Sequence, residues 1–164
     1  MKIIQEISTY ILIAIIVILI RMFIISPVRV DGISMVPTLS NGDFVLVEKF
    51  DKSLNRFDIV VLNNDSKKLI KRVVGLPGEK IEYKNNILYI DDKVVEETFG
   101  KGSSTGDFSI TQLGVKRIPN DYYLVMGDNR ELSMDSRMIG LIKKSDIEGK
   151  AIFNFNEFIN GIFK

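Results

Sequence analysis

Between Ile7 and Ile25 the chain is apolar except for Ser8, Thr9 and Arg21. A helix of that length is roughly 28 Å long at about 1.5 Å per residue, close to the hydrocarbon thickness of a bilayer. Isoleucine falls on every face of it, unlike the one-sided stripe of a helix that packs on a core. The run is long for the apolar region of a cleavable leader, and no small-x-small site follows it. It therefore predicts a retained transmembrane anchor. Arg21 lies near its end, where a long side chain can snorkel to the headgroups. Lys2 on one side is balanced by Arg21 and Arg29 on the other, so charge leaves the orientation open.

The rest of the chain suffices for one compact domain of about 130 residues. Ser26-Pro27 marks the end of the helix, because a residue before proline avoids the helical region. Residues up to Leu39 read as a loop. Strands are then predicted at Phe44–Val47, Asp58–Leu62 and Leu69–Val74. Lys80–Tyr83 and Ile87–Ile90 flank Lys84-Asn-Asn86 as a hairpin. Lys93–Thr98, Tyr122–Met126, Met138–Ile142 and Lys150–Phe155 complete the strand reading. The glycine- and serine-rich stretch from Phe99 to Phe108 reads as a flexible loop. Short strands at this spacing predict a mainly β body, a sandwich or barrel of antiparallel strands.

The chain has no histidine and no cysteine. A Ser-His-Asp triad, a thiol nucleophile, a disulfide and the usual zinc sites are therefore excluded. No metal site and no cofactor is predicted. With 22 basic and 21 acidic side chains the net charge is +1, which gives no sign of a nucleic-acid partner. A serine nucleophile in this chain would have to give its proton to another base, and a lysine of depressed pKa is the leading candidate.

Three stretches carry candidate chemistry. The first is Asp31-Gly-Ile-Ser-Met-Val-Pro-Thr-Leu39, in which Gly32 and Pro37 bracket Ser34 on the loop after the anchor. The second is Leu69-Ile-Lys-Arg-Val-Val74. On a strand, Leu69, Lys71 and Val73 share one face and Ile70, Arg72 and Val74 the other. Burial among such neighbours lowers an amine's pKa. Both cations have an apolar setting, but a guanidinium stays protonated, so Lys71 is the candidate base. The third is Met126-Gly-Asp-Asn-Arg-Glu-Leu-Ser-Met-Asp-Ser-Arg137. It offers Ser133 as a hydroxyl to orient a lysine, and Asp128 and Asp135 as partners for arginines. Its oxygens lack the spacing of an EF-hand.

These stretches, in this order, resemble the motif set of type I signal peptidases. Gly32–Leu39, Lys71-Arg-Val-Val-Gly-Leu-Pro-Gly78 and Gly127–Arg137 carry the resemblance. Arg56-Phe-Asp-Ile-Val-Val61 is similar to a fourth, weaker motif, and the likeness runs from the anchor to about Gly140. It implies a signal-peptidase-like antiparallel β-sheet body with one N-terminal transmembrane helix. It also implies a membrane-bound serine endopeptidase that removes signal peptides from exported preproteins, with its catalytic domain on the extracytoplasmic face. By residue match Ser34 would be the nucleophile and Lys71 the general base. Ser133 would hold the lysine amine, Asp128 would pair with Arg72, and Asp135 with Arg137. The partners implied are signal peptides and the lipid bilayer, with the secretion machinery as a further candidate.

Two positions depart from the pattern. Gly32 stands where some members carry a serine that helps the oxyanion. Phe57 stands where the fourth motif usually has glycine. The family's preference for small side chains before the cut implies an aliphatic pocket, for which Val28, Val30, Ile33, Met35 and Ile70 are the candidates by position. The division implied is an anchor over 1–25, a catalytic β-domain over 26–80 and 121–157, a small β cap over 81–120 and a tail over 158–164. Part of the stretch from Ala151 to Lys164, which contains Phe153, Phe155, Phe158, Ile159, Ile162 and Phe163, is a candidate to rest in the membrane interface. Two other readings stay open: a specialised Ser-Lys peptidase for a single surface protein, and a catalytically inactive anchored binding domain.

Overall fold

The computed structural model describes residues 2–50, 53–64, 67–100 and 102–155; the side chains of 2–4, 20–23 and 64 lie outside that description. The tail expected over 158–164 also lies outside it, with Phe158 and Phe163. Helix α1 (Lys2–Phe23) contains no glycine or proline, and Pro27 follows shortly after its last turn. Consecutive side chains from Ile15 to Leu19 are all about half exposed, so no face of this part of α1 is packed away. Among the described residues no helix is long and apolar enough to cross a membrane.

The loop expected from Ser26 to Leu39 begins only after Arg29, because Ile25–Arg29 form strand β1. A proline fits there because, among the described residues, β1 is the outermost strand of its sheet and pairs only with β2 (Phe44–Glu48). Among the described residues the larger sheet has seven strands in the order β1-β2-β11-β3-β4-β9-β10, all antiparallel. Its other members are β3 (Ile59–Asn64), β4 (Lys67–Gly75), β9 (Tyr122–Met126), β10 (Ile142–Lys143) and β11 (Ile147–Asn154). The smaller sheet has, among the described residues, four strands, β7-β6-β5-β8. These are β5 (Ile81–Lys84), β6 (Ile87–Ile90), β7 (Lys93–Val95) and β8 (Phe108–Ser109).

Met138–Ile142 is not the continuous strand expected. Ser136–Ile139 form a helical turn, α2, and only Ile142 and Lys143 pair with β9. Asp135 caps that turn by accepting from Arg137 N, and Gly140 leaves it with φ 84°, a conformation that favours glycine. A local side-chain bond here overrides the apolar run. Strand β7 stops at Val95, short of the expected Thr98.

Strand β4 organises the interior. Leu69 and Val73 pack with Val60, Leu62, Tyr123, Val125 and Ile147. Ile70 joins Val28, Val30, Met35, Leu39, Val45, Val47 and Val61. Val74 belongs to the cluster that joins the two sheets, with Ile81, Tyr83, Leu88, Phe108, Ile118, Leu124 and Met126. Gly75 lets the sheets close. A Cβ there would stand 2.5 Å from Ile118 Cδ1 and 2.9 Å from Ile81 Cγ1, closer than real side chains approach. These clusters hold the middle of β4, and with it Lys71 and Arg72, rigidly against the loop that carries Ser34.

Candidate active site

Ser34 lies on the turn between β1 and β2. Val30 N donates to Asp43 O at 2.8 Å and Gly42 N to Val30 O at 2.9 Å, which ties off the base of that turn. Gly32, with φ 100°, donates its N–H to Asn41 Oδ1 at 2.9 Å. On the other side, Asn129 N donates to Ser34 O at 3.0 Å and Asn129 Nδ2 to Ile33 O at 3.3 Å. The nucleophile candidate is thus held through its own backbone by the third motif.

Lys71 reaches it from β4. Its Nζ donates to Ser34 Oγ at 2.7 Å and to Ile70 O at 3.0 Å, and the side chain is only 2% exposed. Burial drives its pKa from 10.5 down to about 8, against the opposing charges of Asp135 and Asp128. An amine in this state loses its proton far more readily than a surface lysine does.

Arg72, next along the strand, points to the other face. Its Nε and Nη2 donate to the two Asp128 oxygens at 2.8 and 2.5 Å, and Nη1 donates to Phe57 O at 2.8 Å. Thr38 Oγ1 also donates to Asp128 Oδ2. The guanidinium stacks 4.1 Å above the Phe99 ring, which meets Phe57 edge-on at 4.8 Å. Phe57 itself adopts φ 73°. A side chain therefore occupies a left-handed position, at the place where the resembled motif usually has glycine, at a cost of about 1–2 kcal/mol.

Asp135 is fully buried and takes Arg137 Nε and Nη2, both at 2.9 Å, and Gly127 N at 3.1 Å. Burial alone would raise its carboxyl; the bonds from Arg137 and Gly127 outweigh it and hold the group below its usual range. Ser133 is buried beside Gly127, and its Oγ makes no hydrogen bond of ordinary geometry, to Lys71 or to any other described residue. It faces Asp135 closely enough to favour that carboxylate's charge. Among the described residues, Lys71 Nζ donates to Ser34 Oγ and Ile70 O and not to Ser133.

Of the pocket candidates, Val28, Val30, Met35 and Ile70 share one buried cluster. Ile33 stands apart from it, 49% exposed. An open groove runs beside the Ser34 turn, between Pro27–Arg29 with Asp31 and Gly32 on one side and Lys67–Leu69 on the other, with Met134 at its edge. Among the described residues both walls present unpaired backbone: β1 has no outer neighbour, and β4 pairs with β9 only from Arg72 onward. Sequence reasoning missed Thr38, Phe99, Tyr83, Glu97 and Arg130. Thr38 and Arg130 sit inside the motifs, which was the available signal; the partners of Arg130 carry none.

Comparison with known proteins shows the family of the chain. The family model described as "Signal peptidase, peptidase S26" matches residues 3–156. Signal peptidase I S of Bacillus subtilis (strain 168) is 42% identical over 168 aligned positions, covering 96% of this chain and 91% of the relative. Signal peptidase I V of the same strain is 46% identical over 134 positions, covering 74% and 80%. A solved signal peptidase I from Enterococcus faecalis V583 superposes with a TM-score of 0.57 at 32% identity, covering 61% of this chain and 97% of that one. The chain therefore belongs to the signal peptidase family, peptidase S26, and is a serine endopeptidase.

Proposed function

We propose that this enzyme cleaves signal peptides from exported preproteins with a Ser34–Lys71 dyad, while anchored to the membrane by α1. The observation that carries the dyad is the 2.7 Å bond from Lys71 Nζ to Ser34 Oγ inside a buried setting. With a pKa of about 8, about a tenth of the amine is neutral at pH 7.

Neutral Lys71 accepts the Ser34 hydroxyl proton as Oγ attacks the scissile carbonyl. The charged amine then gives that proton to the leaving nitrogen as the peptide bond breaks, which leaves an acyl group on Ser34. A water activated by the same amine releases it. The Ser34 N–H, which donates to no group among the described residues, serves as the oxyanion donor. Gly32 contributes no hydroxyl, and its N–H is engaged by Asn41. Asp128 with Arg72, and Asp135 with Arg137, support the loop behind the dyad, and Ser133 fills the space beside Gly127.

The substrate enters as an extended segment along the groove between β1 and β4, where unpaired backbone on both sides can receive it. Val28, Val30, Met35 and Ile70 lie behind that groove as an aliphatic wall that favours small residues before the cut. The exposed apolar side chains of α1 support the anchor, and the body that follows would then face the extracytoplasmic side, where exported preproteins emerge.

The test is cleavage of a preprotein with an Ala-x-Ala site by the parent, Ser34→Ala and Lys71→Ala. Both variants are expected to fold and to lose activity by about 10³-fold or more. Robust cleavage by either would overturn the role given to that residue.

A further inference from the structure

Arg130 belongs to the third motif but points away from Ser34 and Lys71, into the core between the sheets. Its Nε donates to Gly127 O at 3.0 Å. Nη1 donates to Thr105 Oγ1 at 2.6 Å, Tyr83 OH at 3.1 Å and Glu97 Oε2 at 3.3 Å, and Nη2 to Glu97 Oε1 at 2.5 Å. Tyr83 OH donates to the same Glu97 oxygen at 2.8 Å. The guanidinium lies 5.3 Å from the Tyr83 ring centre and 5.9 Å from that of Phe99. Phe99 is the ring on which Arg72 stacks.

A buried ion pair brings little net stability over well-packed apolar groups, because both charges lose their water. What it supplies is direction. Arg130 joins the smaller sheet and its loops (Tyr83, Glu97, Thr105) to one turn of the larger sheet. That turn holds the site: Gly127 N on Asp135, Asp128 on Arg72, and Asn129 N on Ser34 O.

We propose that the Glu97–Arg130 pair is a latch through which the four-stranded sheet fixes the Gly127–Arg130 turn, and with it the distance between Ser34 and Lys71. Glu97, Tyr83 and Arg130 are positioning residues and touch no substrate. The latch rests on the Ser-Lys reading above. Loosening it lets the turn drift and admits water to Lys71. Burial is the largest influence on that amine, and Asp135 and Asp128 are the charged groups that face it. Water therefore moves its titration upward.

The experiment compares the full chain in detergent with Glu97→Gln, Tyr83→Phe and Ser34→Ala on a preprotein carrying an Ala-x-Ala site, well below each melting temperature. Glu97→Gln is expected to lower kcat about tenfold or more, leave KM within about twofold, and move the acid limb of kcat to higher pH. Tyr83→Phe is expected to act in the same direction and more weakly. A folded Glu97→Gln with the parent's kcat and pH limb overturns the latch. If Glu97→Gln does not fold, a Tyr83→Phe with the parent's kcat overturns it instead. Ser34→Ala separates the two proposals. If it still cleaves, the Ser-Lys reading fails and the latch falls with it. If it is inactive while the other variants match the parent, only the latch fails.

Discussion

Lys71 Nζ stands 2.7 Å from Ser34 Oγ, although the two residues come from a core strand and an edge turn. Because burial holds the amine near 8, cleavage should rise with pH through that value and level off above it. A pH series of kcat/KM on a substrate with no group titrating between 6 and about 10 checks this. A flat profile between those limits would remove Lys71 as the base.

The same shift predicts a stability effect. The folded pKa lies below the unfolded one, so between about 8 and 10.5 the unfolded chain binds more protons and stability increases with pH. Below about 8 the full penalty applies, on the order of 3 kcal/mol. Lys71→Met should therefore be more stable than the parent at pH 7, with the advantage fading toward pH 10.5. Denaturant unfolding followed by circular dichroism at the two pH values measures it.

Arg72→Met leaves the buried Asp128 carboxylate without its cation. Loss of one partner from such a pair costs about 3–5 kcal/mol. The bidentate bonds and the contact to Phe57 O predict that Arg72→Lys recovers only part of this, because an ammonium cannot reproduce the fork. Thermal melts of the two variants give the ranking.

Gly127 has room for no side chain. A Cβ there would lie 2.5 Å from Ser34 O and 2.6 Å from Ser133 Cβ. Gly127→Ala should push the Ser34 turn off its position and lower kcat by about 10²-fold, with far-UV circular dichroism unchanged. A variant with the parent's kcat would show that the turn can yield without harm to the dyad.

Both members of the proposed dyad were legible in the sequence as candidates. A chain with no histidine and no cysteine leaves lysine as the natural base for a serine, and the motif order supplied both residues. Apolar runs bounded by turn residues located the central strands, and β3, β4 and β9 are indeed buried on both faces. Local rules failed where a side chain bonded nearby backbone, as Asp135 does in making α2, and where Pro27 sits harmlessly on a sheet edge.

What only tertiary structure decided is which groups meet. Alternation along β4 gave Lys71 and Arg72 equally apolar neighbours; the packing of the sheet against the Ser34 turn set one against the hydroxyl and the other against Asp128. The partners of Arg130 come from segments 47 and 33 residues upstream. The reason is physical. Residue type and spacing determine which face a side chain takes, but the depth of burial and the distance between two polar atoms arise only when strands far apart in the chain are brought into register.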